Sequence, residues 1–343
     1  MCLQSILCLV ILTLTRPVIG LAANAPTSQE VVVDAESELV IKGALKWLAS
    51  QQGSNGAWFI GTQQNPGHPV AMTGYTLIAF MAAGQLPEEG EYAKNVAAGM
   101  QFLLDTVGPD GLFQGVPGGE YMYNHGIATI ALGELYGQSK SVAARRTLER
   151  LVQVIVTTQN KDGGWRYQPQ PRDADISVTV LQVVALRAAK NAGLDVPQTT
   201  IDNAVAYVHS CCDQASGGFN YQPRARKPGF ARTAAAIYSL QVCGQYDDPL
   251  VKAGSAYLLK STDKSYWTYG SYYAAPAEYM IGGESWRQWY SQTKDFLLKS
   301  VKRNAGLCHW EASGGGDVGP VYCTAVYTSI LATPYHYIPL YQR

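Results

Sequence analysis

The chain has no excess of either charge: 26 Lys and Arg stand against 26 Asp and Glu over 343 residues. A nucleic-acid partner needs a basic face, so that class is set aside. Long apolar runs are also scarce. Residues 6–15 (ILCLVILTLT) are apolar but too short to span a bilayer. They fit the core of an export signal, with small residues following up to Ala23-Asn24-Ala25. Residues 1–25 would then be removed, leaving 26–343 as one domain that is periplasmic or extracellular and has no transmembrane span. The first five residues carry no Lys or Arg, and Pro26 directly follows the small residues, so cleavage could fall a few residues earlier; an uncleaved anchor is the alternative.

Cysteine is sparse beyond that segment: Cys211, Cys212, Cys243, Cys308 and Cys323. Export permits disulfides, and an odd count leaves one thiol over. Cys308 with Cys323 is the preferred pair. Of the adjacent Cys211 and Cys212, at most one would meet Cys243. The spacing of Cys308, His309, Cys323 and His336 matches no standard zinc finger, so no metal site is expected there. There is no Gly-x-Ser-x-Gly elbow for a serine hydrolase. Tyrosine, by contrast, is abundant at 22 copies. Half-buried tyrosines suit a wide cavity or a groove facing carbohydrate or lipid, although packing between helices is the plainer use.

What is present is a repeat. Segments of helical apolar spacing alternate with glycine–aromatic breaks. First helices are predicted at 41–50, 96–106, 146–158, 201–211, 251–259 and 286–301. Second helices are predicted at 71–83, 127–136, 176–192, 231–243, 277–281 and 321–331. The break aromatics Trp58, Phe113, Trp165, Phe219, Trp267 and Trp310 lie roughly fifty residues apart, in the range of helix-pair repeats. One amphipathic pair cannot bury its face alone, so neighbours must stack. Six pairs can close into an all-α (α/α)6 toroid, with the Ala-, Thr- and Val-rich second helices inside. The loops after each aromatic would line one end of its cavity.

Gln52-x-x-x-Gly56-x-Trp58 and Gln159-x-x-x-Gly163-x-Trp165 resemble the QW motifs of squalene–hopene and other triterpene cyclases. The Gly-Gly-aromatic turns and Asp175-x-x-x-Thr179 are similar to the wider terpenoid cyclase and protein prenyltransferase superfamily. Residues 123–129 (YNHGIAT), 175–179 (DISVT) and 335–341 (YHYIPLY) resemble the exported squalene-cyclase-repeat proteins of planctomycetes, a group without an assigned reaction. The resemblance implies a toroid and an isoprenoid or other lipid-like substrate.

Alkene-protonating cyclases carry Asp-x-Asp-Asp, because a carboxylic acid must be kept protonated and aimed at a double bond. Here the segment is Asp173-Ala-Asp175-Ile176, with the third acid replaced. Asp175 could equally cap the inner helix that follows, and the two roles are compatible. His125 stands four before Thr129 as Asp175 stands four before Thr179, so both are expected at one rim as an acid/base pair. Capping beside Tyr121 and Tyr123 is the plain alternative for His125. Arg172, Arg224, Arg226, Tyr123 and Trp165 are candidate substrate contacts. The cations Arg224, Arg226, Lys227 and Arg232 after Gly217-Gly218-Phe219 suit an anion clamp or simply a solvated loop.

Prenyltransferases of the superfamily also bind zinc, but their Asp, Cys and His slots are Gly229, Ala231 and Cys323 here. The thioester Cys-Gly-Glu-Gln of complement-type toroids is absent as well, so no cofactor is expected. Asp173, Asp175, Glu120 and Glu278 could support glycan chemistry on the same scaffold. A non-catalytic binding or scaffold toroid, with Asp175 used up as a cap, is the other possibility.

Overall fold

The computed structural model describes residues 31–342, apart from 63, 64, 117, 118, 313 and 315. The expected export segment lies outside the described residues. In chain order the helices are α1 (Ala35–Ser50), α2 (Pro69–Ala82), α3 (Ala93–Thr106), α4 (Tyr121–Ser139), α5 (Val142–Thr157) and α6 (Ile176–Asn191). They continue as α7 (Gln198–Ser210), α8 (Phe230–Val242), α9 (Pro249–Lys260), α10 (Trp267–Ile281), α11 (Gly283–Ser300) and α12 (Pro320–Ala332). Two short hairpins accompany them, β1 (Ile60–Thr62) with β2 (Asn65–Gly67), and β3 (Lys302–Asn304) with β4 (Leu307–His309). None of the described helices is long and apolar enough to cross a membrane.

Odd-numbered helices form an outer ring and even-numbered helices an inner one. Burial sorts them. In α5, Leu148, Leu151, Val152 and Ile155 are buried while Arg145, Arg146 and Glu149 face solvent. In α2 every residue from Val70 to Ala82 is buried, as an inner position requires. Consecutive inner helices pack on one another, and α12 closes the ring against α2. Small residues permit that crowding: a Cβ on Gly74 of α2 would lie 3.1 Å from the Ile127 carbonyl oxygen on α4.

The glycine–aromatic turns stitch the two rings together. The indole N–H groups of Trp58, Trp165 and Trp310 donate to the carbonyls of Leu48, Ile155 and Leu297 at 2.7, 2.7 and 3.0 Å. The backbone N–H groups of Trp58, Trp165, Phe219 and Trp310 donate to the hydroxyls of Thr73, Thr179, Thr233 and Thr324 on the inner helices. Gln159 Nε2 donates to Gly163 O at 2.8 Å and across to Thr200 O of α7 at 2.9 Å. Gly163 has φ 96°, and a Cβ there would sit 2.1 Å from Asn203 O, so only glycine fits. Gln52 makes the matching pair of bonds to Gly56 O and Asn95 O.

The fifth pair departs from expectation. Its inner helix begins at Trp267, not 277, so Trp267 is a helical residue and no glycine turn precedes it. Gly270 and Pro276 lie within this helix, buried inside the ring. Gly270 is where α8 approaches, with Ala231 Cα 2.8 Å from a would-be Cβ. The expected Cys308–Cys323 disulfide is absent: all five described cysteines are free. Cys308, on β4, packs its Sγ onto Gly43 of α1, whereas Cys323 sits at the start of α12 beside Asp317. At the far end, a 3-10 turn at Pro339–Tyr341 packs across the lumen against α6 and α10, with Leu340 and Tyr341 buried.

Candidate functional site

With that tail across one end, the lumen opens at the end where the inner helices begin. The cavity there has a volume of about 510 Å³, within the range of small-molecule sites. Tyr75 and Tyr322 form its floor, and Tyr75 packs edge-on against both Tyr272 and Tyr322, at 5.2 and 5.0 Å between ring centroids. Ala71, Met72, Ala231 and Val318 add apolar wall. Polar contributions come from His68, Glu120, Asn124 and Arg232.

One side of the cavity is a wall of tyrosines. Tyr123 stacks on Tyr167 at 6.0 Å, and Tyr269 meets Tyr123 edge-on at 6.4 Å. The Tyr167 and Tyr221 hydroxyls share a hydrogen bond of 2.5 Å, and Tyr269 donates to Ser177 O at 2.6 Å. Tyr167 and Tyr221 are placed by one device used twice. Each stands two residues after a turn aromatic, and its carbonyl accepts the N–H that opens an inner helix. Met122 N–H donates to Tyr167 O at 2.9 Å, and Ile176 N–H to Tyr221 O at 3.0 Å.

Behind this wall is Asp175, fully buried. Its Oδ1 accepts from Val178 N–H at 2.9 Å and caps α6. Its Oδ2 has no hydrogen-bond partner and faces Arg166 Nε at 3.6 Å. Burial raises the Asp175 pKa to about 6, against the pull of Val178 N–H, the nearby Tyr221 hydroxyl and the Arg166 charge. Burial and the neighbouring Asp175 in turn raise the Tyr221 pKa. The Arg166 guanidinium lies over the Tyr167 ring at 4.9 Å and bonds Asp173 Oδ2 at 2.5 Å. The buried acid thus stands beside the Tyr221 hydroxyl, which bonds Tyr167 in the cavity wall.

The other sequence candidates fall elsewhere. His125 is not at the rim: α4 starts a full turn before it, at Tyr121. Its ring is fully buried against Phe113 and Tyr121, with Nε2 3.1 Å from Leu151 O of the outer helix α5. Burial lowers its pKa to about 4, so it is neutral at pH 7. Trp165 is likewise buried, with its indole N–H on Ile155 O, so it has no face toward the cavity. Asp173, Arg172, Arg224 and Arg226 are exposed and do not line the cavity. Of the candidate contacts, Tyr123 is the one on its wall. Sequence reading passed over Arg166, Tyr167, Tyr221 and Tyr269. The equal offset of Tyr167 from Trp165 and of Tyr221 from Phe219 was the signal available for two of them.

The architecture and its one-ended lumen define an all-α toroid with a tyrosine-walled internal cavity. A family model for the prenyltransferase alpha-alpha toroid domain matches residues 28–200 and 179–267, and the chain belongs to that family. Among curated proteins, none matches it. Solved structures share the fold. An inactive variant of the alpha-1,6-mannanase GH76A of Salegentibacter sp. HEL1_6, in complex with alpha-1,6-mannotriose, is 7% identical with TM-score 0.66, over 88% of this chain and 99% of that one. Cellobiose 2-epimerase from Bacillus thermoamylovorans B4167 is 14% identical with TM-score 0.65, over 88% and 98%. The type II terpene cyclase MstE from Scytonema is 15% identical with TM-score 0.60, over 88% and 99%. Such identities speak for the fold alone, and that fold serves both terpene and sugar chemistry. The zinc implied by prenyltransferases does not fit the present residues. Gly229 and Ala231 supply no ligand, and among the described residues no three His, Cys, Asp or Glu side chains gather.

Proposed function

We propose that the tyrosine-walled cavity binds a lipid-like molecule of isoprenoid character and that Asp175 is the acid of its conversion. The observation that carries this is a buried carboxyl beside the Tyr221 hydroxyl, which is itself hydrogen-bonded to Tyr167 in the cavity wall. A carboxyl with its pKa raised to about 6 keeps its proton in mildly acidic medium. Once the Tyr221 hydroxyl closes onto Asp175 Oδ2, the proton leaves Asp175 for the Tyr221 oxygen, the Tyr221 proton passes to Tyr167, and the Tyr167 proton goes to the substrate. Val178 N–H and Arg166 then stabilise the carboxylate left behind. Tyrosine rings at the wall would face a carbocation with their negative π-faces. Asp173 holds Arg166 rather than substrate. An anionic head group on the ligand would meet Arg232 on the cavity wall. A terpene cyclase neighbour, MstE, is known in complex with geranylgeranyl dihydroxybenzoate as substrate. Glycan cleavage is less well supported, because Glu120 is the one acidic side chain lining the cavity among the described residues and a carboxylate pair is wanting.

One observation favours a binding module without chemistry: Asp175 is sealed, and one of its oxygens is committed to the cap. Asp175→Asn separates the two readings, because asparagine also caps. The exported chain is purified from its host, its bound lipids are identified by native mass spectrometry, and those lipids are assayed for conversion. The acid role predicts that Asp175→Asn retains lipid but loses conversion about a hundredfold or more. Conversion that survives in Asp175→Asn removes Asp175 from the mechanism. Lipid bound unchanged by wild type and variant alike favours the binding module. Tyr167→Phe, which breaks the relay without touching the cap, should lose conversion as well.

A further inference from the structure

We infer that the junction of α9, α10 and α11 is a docking groove for an aromatic residue on a glycine turn of a partner protein. Elsewhere in the ring the chain fills this position itself. A turn aromatic sits where an outer helix ends, its inner helix begins and the next outer helix passes: Trp58, Phe113, Trp165, Phe219 and Trp310 are all buried there. The fifth pair has no such turn, because residues 261–266 lead from α9 straight into α10. At the equivalent place is an open cleft of about 340 Å³. Leu258 of α9, Trp267 and Thr268 of α10, and Trp289, Thr293 and Phe296 of α11 line it.

The match extends to detail. The carbonyl that takes the indole N–H belongs to Leu48 in α1 and Ile155 in α5, two residues before each helix ends. Two residues before the end of α9 is Leu258, whose side chain lines the cleft. Ser271 is the fifth residue of α10 as Thr73 is of α2, and its buried Oγ has no hydrogen-bond partner where Thr73 accepts a turn N–H. Phe296 remains 46% exposed, with the half-buried Trp267 edge-on at 4.7 Å. A folded monomer seldom leaves an aromatic cleft of this kind open without use.

Charge narrows the occupant. Several of the chain's own turns carry an aspartate within a few residues before the aromatic: Asp110, Asp162 and Asp213. At the lip of the cleft the exposed Lys264 places its Nζ 5.9 Å from the Trp267 ring centroid, where it would meet such a carboxylate, while the cleft's own carboxylate, Asp317, accepts from Gly314 N–H. The cleft and the cavity mouth are walled by neighbouring residues of the same two segments. Tyr266 and Val318 line the cavity while their neighbours Trp267 and Asp317 line the cleft. Tyr266 holds φ 55°, a left-handed conformation costly for a tyrosine. A partner seated on Trp267 would thus act on the wall of the cavity.

The probe is a labelled peptide of residues 159–165 (QNKDGGW), read by fluorescence anisotropy against the full mature chain. Saturable binding is expected, weakened about tenfold or more by Phe296→Lys, by Lys264→Glu and by replacing the peptide's tryptophan with alanine. A second variant replaces residues 261–265 with the same seven-residue turn. It should raise Tm and abolish peptide binding, because the cleft is then filled from within. Absence of binding, binding indifferent to Phe296→Lys, or binding that survives in the filled variant overturns the inference. Self-association that Phe296→Lys abolishes would make the occupant a second copy and overturn a separate partner.

Discussion

Helices α4 and α6 carry different residues four places before the same threonine: His125 before Thr129, and Asp175 before Thr179. Equal spacing did not give equal places. Asp175 is extended, with φ −142° and ψ 161°, and α6 starts just after it. In α4 the helix has already begun at Tyr121, so His125 lies in its second turn and faces outward to α5. The cause is visible one residue type away. Phe113 N–H is taken by the Tyr121 hydroxyl at 2.6 Å, where other turns use the inner-helix threonine. Thr129 accepts no turn N–H and keeps only the bond back to His125 O at 2.7 Å, which Thr233 makes to Gly229 O as well. A slot's environment is set by where its helix starts, and an extra turn moved this one from the rim to the wall between rings.

The widest gap between the two regions should appear in their anchors. Trp165→Ala removes a fully buried indole and its hydrogen bond to α5, and should cost about 3–5 kcal/mol in urea unfolding. Phe113→Ala loses burial alone and should fall at the lower end of that range. Equal losses would show that the indole hydrogen bond adds nothing.

Next come opposite responses to pH. His125 has its pKa lowered from 6.5 to about 4 by burial. Its contribution is therefore present above pH 6.5 and lost as pH falls through 4, about 3 kcal/mol in all. His125→Leu should flatten that acid-side loss relative to wild type and leave ligand binding unchanged. Asp175 has its pKa raised from 3.8 to about 6. Stability is then fully present below 3.8 and declines as pH rises through 6, by about 2–3 kcal/mol. Asp175→Asn should remove that decline. Were both variants to bend the curve in the same direction, the two slots would share one environment after all. If Asp175 is the acid, conversion should fall through the same window.

Much of the ring was legible because its causes are local. Glycine turns, buried aromatics and 3.6-residue periodicity each leave a mark within about a dozen residues, as in 159–165. The fifth pair was misread because its glycine and proline sit where the ring, not the segment, decides. Gly270 is small for the sake of α8, some forty residues away in sequence. The site was harder. Asp175 stood out by its motif, but its surroundings, Tyr167, Tyr221 and Arg166, reach it through tertiary packing. Arg172, Arg224 and Arg226 were conspicuous by their charge, whereas their exposure away from the cavity could not be read from sequence.

The smallest effect tests the cap itself. In α8 the same slot is Gly229, extended at φ −157°, with no side-chain cap, and the helix starts there all the same. Asp175→Gly should therefore preserve α6 and cost only a few tenths of a kcal/mol in capping, while Asp175→Ala should cost about 1 kcal/mol. Both remove a buried carboxyl whose Oδ2 is unpartnered, a gain above pH 6 that offsets part of the loss. At pH 5 that gain shrinks and the cap alone is read. A glycine variant as stable as wild type at pH 5, yet inactive, would show that the aspartate is kept for its proton and not for the helix.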